Sequence, residues 1–403
     1  MDSTRLRVSS VSLDRYREQF PALASKAYFN YGGQGPLPQA ALEAIQQAYA
    51  VVQQKGPFSL AVNAWATQMR DRTREAIAEN LGVASQTITL TENVTAGCNI
   101  ALWGMPWQAG DGILLSDCEH PGIIAIAQEI QRRFGVEISF CPLMETLNQG
   151  DPVEVVASNL QPNTRLVIVS HILWNTGQVL PLQELVAACH RHTTTRGNRT
   201  QVLVDAAQSV GVLSLNLAEV AADFYAFTGH KWWCGPAGVG GLYVHPPAFE
   251  TLSPTFIGWR GIAVDSSGRP EAVLNADGSR FEVATSAYPL YAGLQAAIAA
   301  HGQWGEAAAR YQRICALSAN LWERLSQIEG VNCLRKTAPE AGLVSFQIPG
   351  KSHVKLMQFL ETRGLQIRRL LDPDCARACV HYFTLESEIE QLVSAIAQFC
   401  QQA

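Results

Sequence analysis

In the stretch QVLVDAAQSVGVLSLNLAEVAADFYAFTGHKWWCGPAGVGG, residues 201–241, one apolar run ends on an acid, Val202-Leu-Val-Asp205. A second run ends on Thr228-Gly-His230-Lys231. Two strand ends therefore project polar side chains toward one place. Open α/β sheets bind ligands at the carboxyl ends of their strands, so Asp205 and the Lys231 turn are where chemistry is expected. Lys231 is followed by Trp232, Trp233 and Cys-Gly-Pro. Beside two indoles its amine is desolvated, which lowers its pKa and favours the neutral form that attacks a carbonyl.

The flanking sequence repeats the pattern of strand, polar turn and helix. Ala27-Tyr-Phe-Asn30 runs into the glycine-rich turn Tyr31-Gly-Gly-Gln-Gly-Pro, which either lets backbone approach a ligand or simply precedes the helix 39–53. Helical spacing marks 67–81, and a strand at 87–90 leads into Thr91-Glu-Asn-Val-Thr95-Ala96-Gly97, a small-residue helix start suited to phosphate. A strand at 111–116 ends near Glu119-His120-Pro121, and the strand 164–171 is followed by Trp174-Asn175-Thr-Gly177. Polar residues just past strand ends are placed for function. Cys189, His190 and His192 read as a solvated helix end, since no further ligand is near in sequence.

Beyond residue 245 the spacing predicts a long Gly/Ser/Asp-rich loop to Gly278 containing Trp259 and Arg260, then a helical stretch 291–328. The tail predicts strands at 331–335, 342–348, 365–370 and 379–383, with helices at 354–363 and 386–399. We therefore expect a large α/β domain over 26–288 with a mostly parallel mixed sheet. Residues 1–25 and 289–403 are expected to form a smaller α+β domain.

A length of 403 residues suits such a two-domain arrangement, and 47% hydrophobic residues supply its cores. The net charge of −5 and the lack of a polybasic run weigh against nucleic acid as a partner. The ten cysteines include no CxxC pair, which favours neither zinc nor a disulfide framework and fits a reduced, cytoplasmic setting. No apolar run reaches the length of a membrane span, and residues 1–20 do not resemble a secretory signal.

A carboxylate, a desolvated lysine, an imidazole and several amides and hydroxyls at strand ends would suit a planar, phosphorylated aldehyde cofactor. The segments VDAAQS and DFYAFTGHKWWCGP resemble the aspartate-to-lysine region of the class V aminotransferases, fold-type I pyridoxal 5′-phosphate (PLP) enzymes that include the cysteine desulfurases. The resemblance runs from YFNYGGQGPLP through RFEVATS to YFTLESEIE. It implies that Lys231 links covalently to the cofactor, that Asp205 pairs with the pyridinium nitrogen and that His120 stacks on the ring. It also implies that Asn175 and Gln208 face the ring hydroxyl, while Thr95, Ala96, Thr228 and His230 hold the phosphate. Thr285 matches a position that reaches the phosphate of a neighbouring subunit, implying a homodimer. Arg377, with Arg368 as second candidate, would bind the substrate carboxylate together with Asn175.

A desulfurase needs a cysteine on a mobile loop, whereas Cys375 lies two residues before Arg377 in IRRLLDPDCARAC, a segment too short to swing over a cofactor. The pattern is most similar to the cystine or cysteine C-S lyases. These are expected to cleave cystine by β-elimination to pyruvate, ammonia and cysteine persulfide, with an iron-sulfur apoprotein as a candidate sulfur acceptor. Trp259 and Arg260 are then candidates for the distal half of a disulfide substrate. A cysteine desulfurase using Cys375, an epimerase and a cofactor-carrying binding protein remain as rival expectations.

Overall fold

The computed structural model describes residues 12–264 and 268–402. Residues 1–11 of the N-terminal segment and 265–267 of the long loop lie outside the described residues. In chain order the strands are β1 (Ala27–Tyr28), β2 (Ile88–Thr91), β3 (Gly112–Ser116), β4 (Glu137–Cys141), β5 (Thr164–Ser170), β6 (Gln201–Asp205), β7 (Phe224–Thr228) and β8 (Gly240–Val244). They continue with β9 (Ile262–Val264), β10 (Pro270–Leu274), β11 (Asn332–Cys333), β12 (Leu343–Gln347), β13 (Leu365–Gln366), β14 (Arg368–Leu371) and β15 (Asp374–Cys379).

Seven strands form the main sheet in the order β2-β8-β7-β6-β5-β3-β4. Strands β3 to β7 run parallel, and β8 is antiparallel to both of its neighbours. The short apolar runs become central strands because both faces are covered. Leu166 and Ile168 of β5 point into one hydrophobic cluster while Val167 and Val169 point into another. After the edge strand β2 the chain starts the parallel part at β3, steps outward to β4, then crosses back to β5 and proceeds to β6 and β7. Its direction of winding thus reverses between β3 and β5, and the connections after these two strands diverge to open a crevice.

The C-terminal part builds a second sheet, β11-β12-β15-β14, packed with helices Ala307–Ser326, His353–Glu361 and Glu386–Gln401 around a separate core. A fourth cluster joins the parts, with Tyr16 and Phe20 from the N-terminal segment, Trp232 from the Lys231 turn, and Tyr382 and Phe383 after β15.

Four expectations shift. The loop 256–278 contains the hairpin β9–β10, whose short strands are hidden in sequence by glycine and serine. The helical stretch 291–328 is two helices, Tyr288–Trp304 and Ala307–Ser326, interrupted around Gly305. The strand expected at 365–370 divides into β13, which pairs with β1, and β14, which pairs with β15. Most consequential for the site, the last strand is Asp374–Cys379 rather than 379–383. The apolar run Val380–Phe383 instead leaves the sheet and is buried among aromatic rings.

Candidate active site

The turn that carries Lys231 begins where β7 ends. Thr228 Oγ1 and His230 Nδ1 lie 2.6 Å apart, and the indole of Trp232 donates to Gln208 Oε1 at 2.9 Å. Gln208 in turn donates to the Gly32 carbonyl at 2.9 Å, and Gly35 N–H donates to the His230 carbonyl at 2.8 Å. A β-carbon at Gly35 would collide with the Lys231 carbonyl, and one at Gly32 would sit 2.7 Å from the Arg377 guanidinium. The glycine-rich turn is therefore packed closely against the lysine turn and Arg377, a protein contact that neither sequence reading anticipated.

Two buried histidines grip the same turn from below. His301 Nε2 lies 2.8 Å from the Trp233 carbonyl, and His381 Nε2 lies 2.9 Å from that of Trp232. A carbonyl only accepts, so the hydrogen is assigned to Nε2 in both rings. His301 Nδ1 is then free to accept from Tyr382, 2.7 Å away, whose hydroxyl meets that of Tyr16 at 2.5 Å.

Lys231 is held at a pKa of about 8, chiefly by burial, with Asp205 opposing the shift and Arg377 and Arg368 reinforcing it. Burial raises the Asp205 carboxyl, which the Ala207 N–H at 2.9 Å and the charges of Lys231 and His120 counteract. His120 caps the helix Pro121–Phe134, accepting from Gly122 N–H at 3.1 Å, and burial lowers its pKa. These mutual interactions place Lys231, Asp205, His120, Arg368 and Arg377 around one point.

Arg368 and Arg377 are register partners on β14 and β15. Arg377 is only 1% exposed, whereas Arg368 lies at the surface. Arg377 Nη1 donates to the Trp174 carbonyl at 2.5 Å, and Ser345 donates to the Asn175 carbonyl at 2.6 Å. Asn175 Oδ1, Trp174 Nε1, Arg377 Nε and Asn30 Oδ1 are all buried without a hydrogen-bond partner within the protein. Leaving such a group unpaired costs about 1–3 kcal/mol, so this concentration of orphan donors and acceptors fits a polar ligand beside Lys231. The residues present thus suit PLP with an amino acid: an acid for the ring nitrogen, an amine for the aldehyde and a guanidinium for a carboxylate.

The remaining candidates are placed less directly. Thr95 and Ala96 lie in the first turn of the helix Val94–Gly104, whose backbone N–H groups suit an anion. Gly97 lets that helix approach β7, since a β-carbon there would be 2.9 Å from Ala226 Cβ. The Ala96 amide is already engaged, donating to Asn93 Oδ1 at 2.9 Å. Thr285 is exposed and lines, together with Ala96, a cleft of about 730 Å³. Trp259 is exposed, but Arg260 departs from its expected role: it is buried and bonded to Ser286 Oγ at 2.9 Å and Tyr288 OH at 2.7 Å, beside Glu282 at 3.5 Å. A guanidinium held in that anchor is not free to reach a substrate. Cys375 is fully buried within β15, and burial pushes its thiol up to about 12.

The aminotransferase class-V family model matches residues 27–393. The chain belongs to this family. Among solved structures, the cystine C-S lyase C-DES in complex with its reaction product cysteine persulfide is 53% identical, with a TM-score of 0.91, over 94% of this chain and 99% of that one. A lysine-to-alanine variant of C-DES with glycine covalently linked to the PLP cofactor is 52% identical, with a TM-score of 0.92, over 94% and 98%. The isopenicillin N epimerase of Streptomyces clavuligerus is 30% identical over 91% of this chain and 93% of its own length.

Within this class-V chain, sequence reasoning passed over four residues that the fold brings to the site. Trp174 sets its ring edge-on to His120, with centroids 5.4 Å apart. It shares its turn with Asn175, and that shared position is the signal that could have found it. Glu119 stands one residue before His120 and is buried. His301 and His381 reach the lysine turn only through tertiary packing, and nothing local in the sequence marks them.

Proposed function

We propose that this protein is a PLP-dependent carbon-sulfur lyase that cleaves L-cystine by β-elimination, giving pyruvate, ammonia and cysteine persulfide. The observation that carries the reading is the meeting of a desolvated Lys231, Asp205 and a buried Arg377 in a chain about half identical to the C-DES lyase. The fold-type I architecture and the class-V family set the cofactor. PLP supplies an electron sink for the bond-breaking step. Arg377, with Arg368 beside it, holds the substrate carboxylate and so fixes which bond to Cα faces the ring. With PLP bound, His120 would cover the ring face and Asp205 would keep the pyridine nitrogen protonated. Lys231, with a pKa near neutrality, takes the α-proton as a general base. A persulfide is a weaker base than a thiolate and leaves without help from a protein nucleophile.

The burial of Cys375 supports this route over a desulfurase, because an inert buried thiol does not attack a substrate sulfur. Curated cysteine desulfurases, such as that of Escherichia coli strain UMN026 at 28% identity, keep that alternative in the test. Purified holoenzyme is incubated with cystine and, in a parallel reaction, with cysteine, and the products are measured. Pyruvate with cysteine persulfide supports the lyase, whereas alanine and a persulfide on Cys375 would refute it. Lys231→Ala is expected to abolish turnover and to leave nothing for borohydride to trap at that position.

The further parts of the reading are a homodimer, a cytoplasmic setting, delivery of sulfur to an iron-sulfur apoprotein, and a division into lobes at 26–288 and at 1–25 with 289–403. Among the described residues no helix is long and apolar enough to cross a membrane. Trp259, exposed near the long hairpin, is assigned to the distal half of cystine, and Trp259→Ala is expected to reduce the preference for cystine over cysteine.

A further inference from the structure

Glu119 lies between two strand ends at the crevice, yet the reaction outlined above gives it no part. Its Oε1 is 2.5 Å from Ser116 Oγ, at the end of β3, and 2.9 Å from Ser170 N, at the end of β5. Its Oε2 is 2.8 Å from Ser170 Oγ. Strands β3 and β5 are neighbours, and the winding of the sheet reverses between them. The carboxyl group therefore ties together the two strands whose outgoing turns carry His120 and Asn175. Ser170 is also the register partner of Asp205 on β6, so the same tie adjoins the acid proposed to meet the ring nitrogen.

Among the described residues Glu119 has no ion-pair partner, whether arginine, lysine or histidine, to balance a charge. Besides the serines, the titratable groups that interact with it are Asp205, Cys98 of the helix Val94–Gly104, Cys118 of its own turn, and Cys141 at the end of β4. The three thiols are all pushed up by burial and stay neutral. Asp205, by contrast, faces both Lys231 and His120. Two buried carboxyls close enough to interact do not both ionise when only one has a cation, here Lys231, before it.

We propose that Glu119 is a positioning residue that carries a proton, a neutral staple across the crevice floor that orients the His120 and Asn175 turns and leaves Asp205 as the local anion. The hydrogen bonds fit the neutral acid. Ser116 Oγ–H and Ser170 N–H donate to Oε1, and a proton on Oε2 turns the contact in which the Ser170 hydroxyl donates to Oε2 into an Oε2–H donation to Ser170 Oγ. The Ser116 oxygen can still accept from Cys118 N–H at 3.2 Å. Burial, opposed by the hydrogen bonds from Ser116 and Ser170 and reinforced by the Asp205 charge, raises the Glu119 pKa to about 8.

The catalytic half of this inference rests on the lyase reading, but its central claim is testable without turnover. A carboxyl that stays protonated in the fold and ionises near its ordinary pKa when unfolded makes the protein less stable as pH rises from about 4.5 to about 8. Glutamine reproduces the neutral acid, with its amide in place of Oε2–H, and does not titrate. Thermal unfolding of holoenzyme between pH 5 and pH 8 should therefore show Glu119→Gln gaining steadily on the wild type as pH increases. A difference that stays flat, or drifts the other way, means that Glu119 is ionised and overturns the proposal whatever the reaction proves to be. With cystine, Glu119→Ala is expected to lower kcat more than 10-fold while KM moves less than 3-fold, because Arg377 is untouched, and glutamine is expected to rescue most of that loss. If glutamine is as damaging as alanine, the neutral-staple role fails even where the protein remains a lyase.

Discussion

Of the two arginines offered by the sequence, burial separates the roles. Arg377 is almost wholly enclosed, its Nε lacks a partner, and its Nη1 holds the Trp174 carbonyl, whereas Arg368 lies at the surface of the neighbouring strand. A charge-assisted contact made by an enclosed guanidinium contributes more than one made at an exposed rim. Arg377→Ala is therefore expected to cost roughly 2 kcal/mol or more, a rise of about 30-fold in KM for cystine, and Arg368→Ala less than about 10-fold. Arg377→Lys should recover little, since a lysine cannot hold both a carbonyl and a carboxylate in one plane. Steady-state kinetics decide this, and equal effects at the two positions would reject the assignment. Lys231, Asp205, His120 and Asn175 were legible because each follows an apolar run that could only be a strand, and strand ends gather ligands. Arg260 misled for the opposite reason. A charged residue in a glycine-rich loop looks solvated, and only the fold shows that Glu282, Ser286 and Tyr288 surround it.

Among the elements, helix Tyr288–Trp304 and the segment following β15 do more than fill the core, since His301 and His381 hold consecutive carbonyls directly after Lys231. Burial lowers the His301 pKa to about 3 and carries that of His381 well below its ordinary value, so both rings are neutral in the fold. In the unfolded chain they protonate near pH 6.5. The unfolded state then binds more protons below that pH, and stability is lost as pH falls from about 6.5 toward 3, by about 1.4 kcal/mol per pH unit for each ring at its steepest. Denaturant titrations at successive pH values should show this decline, with a shallower slope in His301→Phe. An unchanged slope would show that His301 is not the neutral clamp described. The parallel strands were largely readable from periodicity, whereas the start of helix Leu60–Leu81, the break at Gly305 and the step from Cys379 into Val380–Phe383 were not. The alternation of apolar and aromatic residues in this last segment looks like a strand, while its backbone turns away so that His381 reaches the lysine turn and Tyr382 reaches His301.

On the scale of the whole molecule, the described chain leaves an apolar surface that one copy does not cover. Phe256 is 73% exposed, Ile257 61% and Trp259 59%, and Phe256 and Val283 border the cleft shared by Ala96 and Thr285. Large apolar side chains exposed together along one segment fit an association site. The buried pair of Arg74 and Glu282, 2.6 Å apart, fixes the start of the Thr285 segment against the helix Leu60–Leu81, so the patch is presented on an anchored base. If a second copy covers it by a two-fold axis, each Thr285 approaches the Ala96 helix start of its partner, and the phosphate pocket is completed by two chains. Sedimentation should then give twice the 43.9 kDa chain mass. Ile257→Asp is expected to shift the equilibrium to monomer and weaken cofactor retention together, whereas Thr285→Val should leave the dimer intact and raise the Kd for PLP by about 10-fold to 100-fold, the loss of one hydrogen bond to a charged group. A monomer that keeps its cofactor and its full activity would break this link between assembly and site. A dimer in which Thr285→Val changes nothing would instead separate the two, leaving the phosphate to the residues of a single chain.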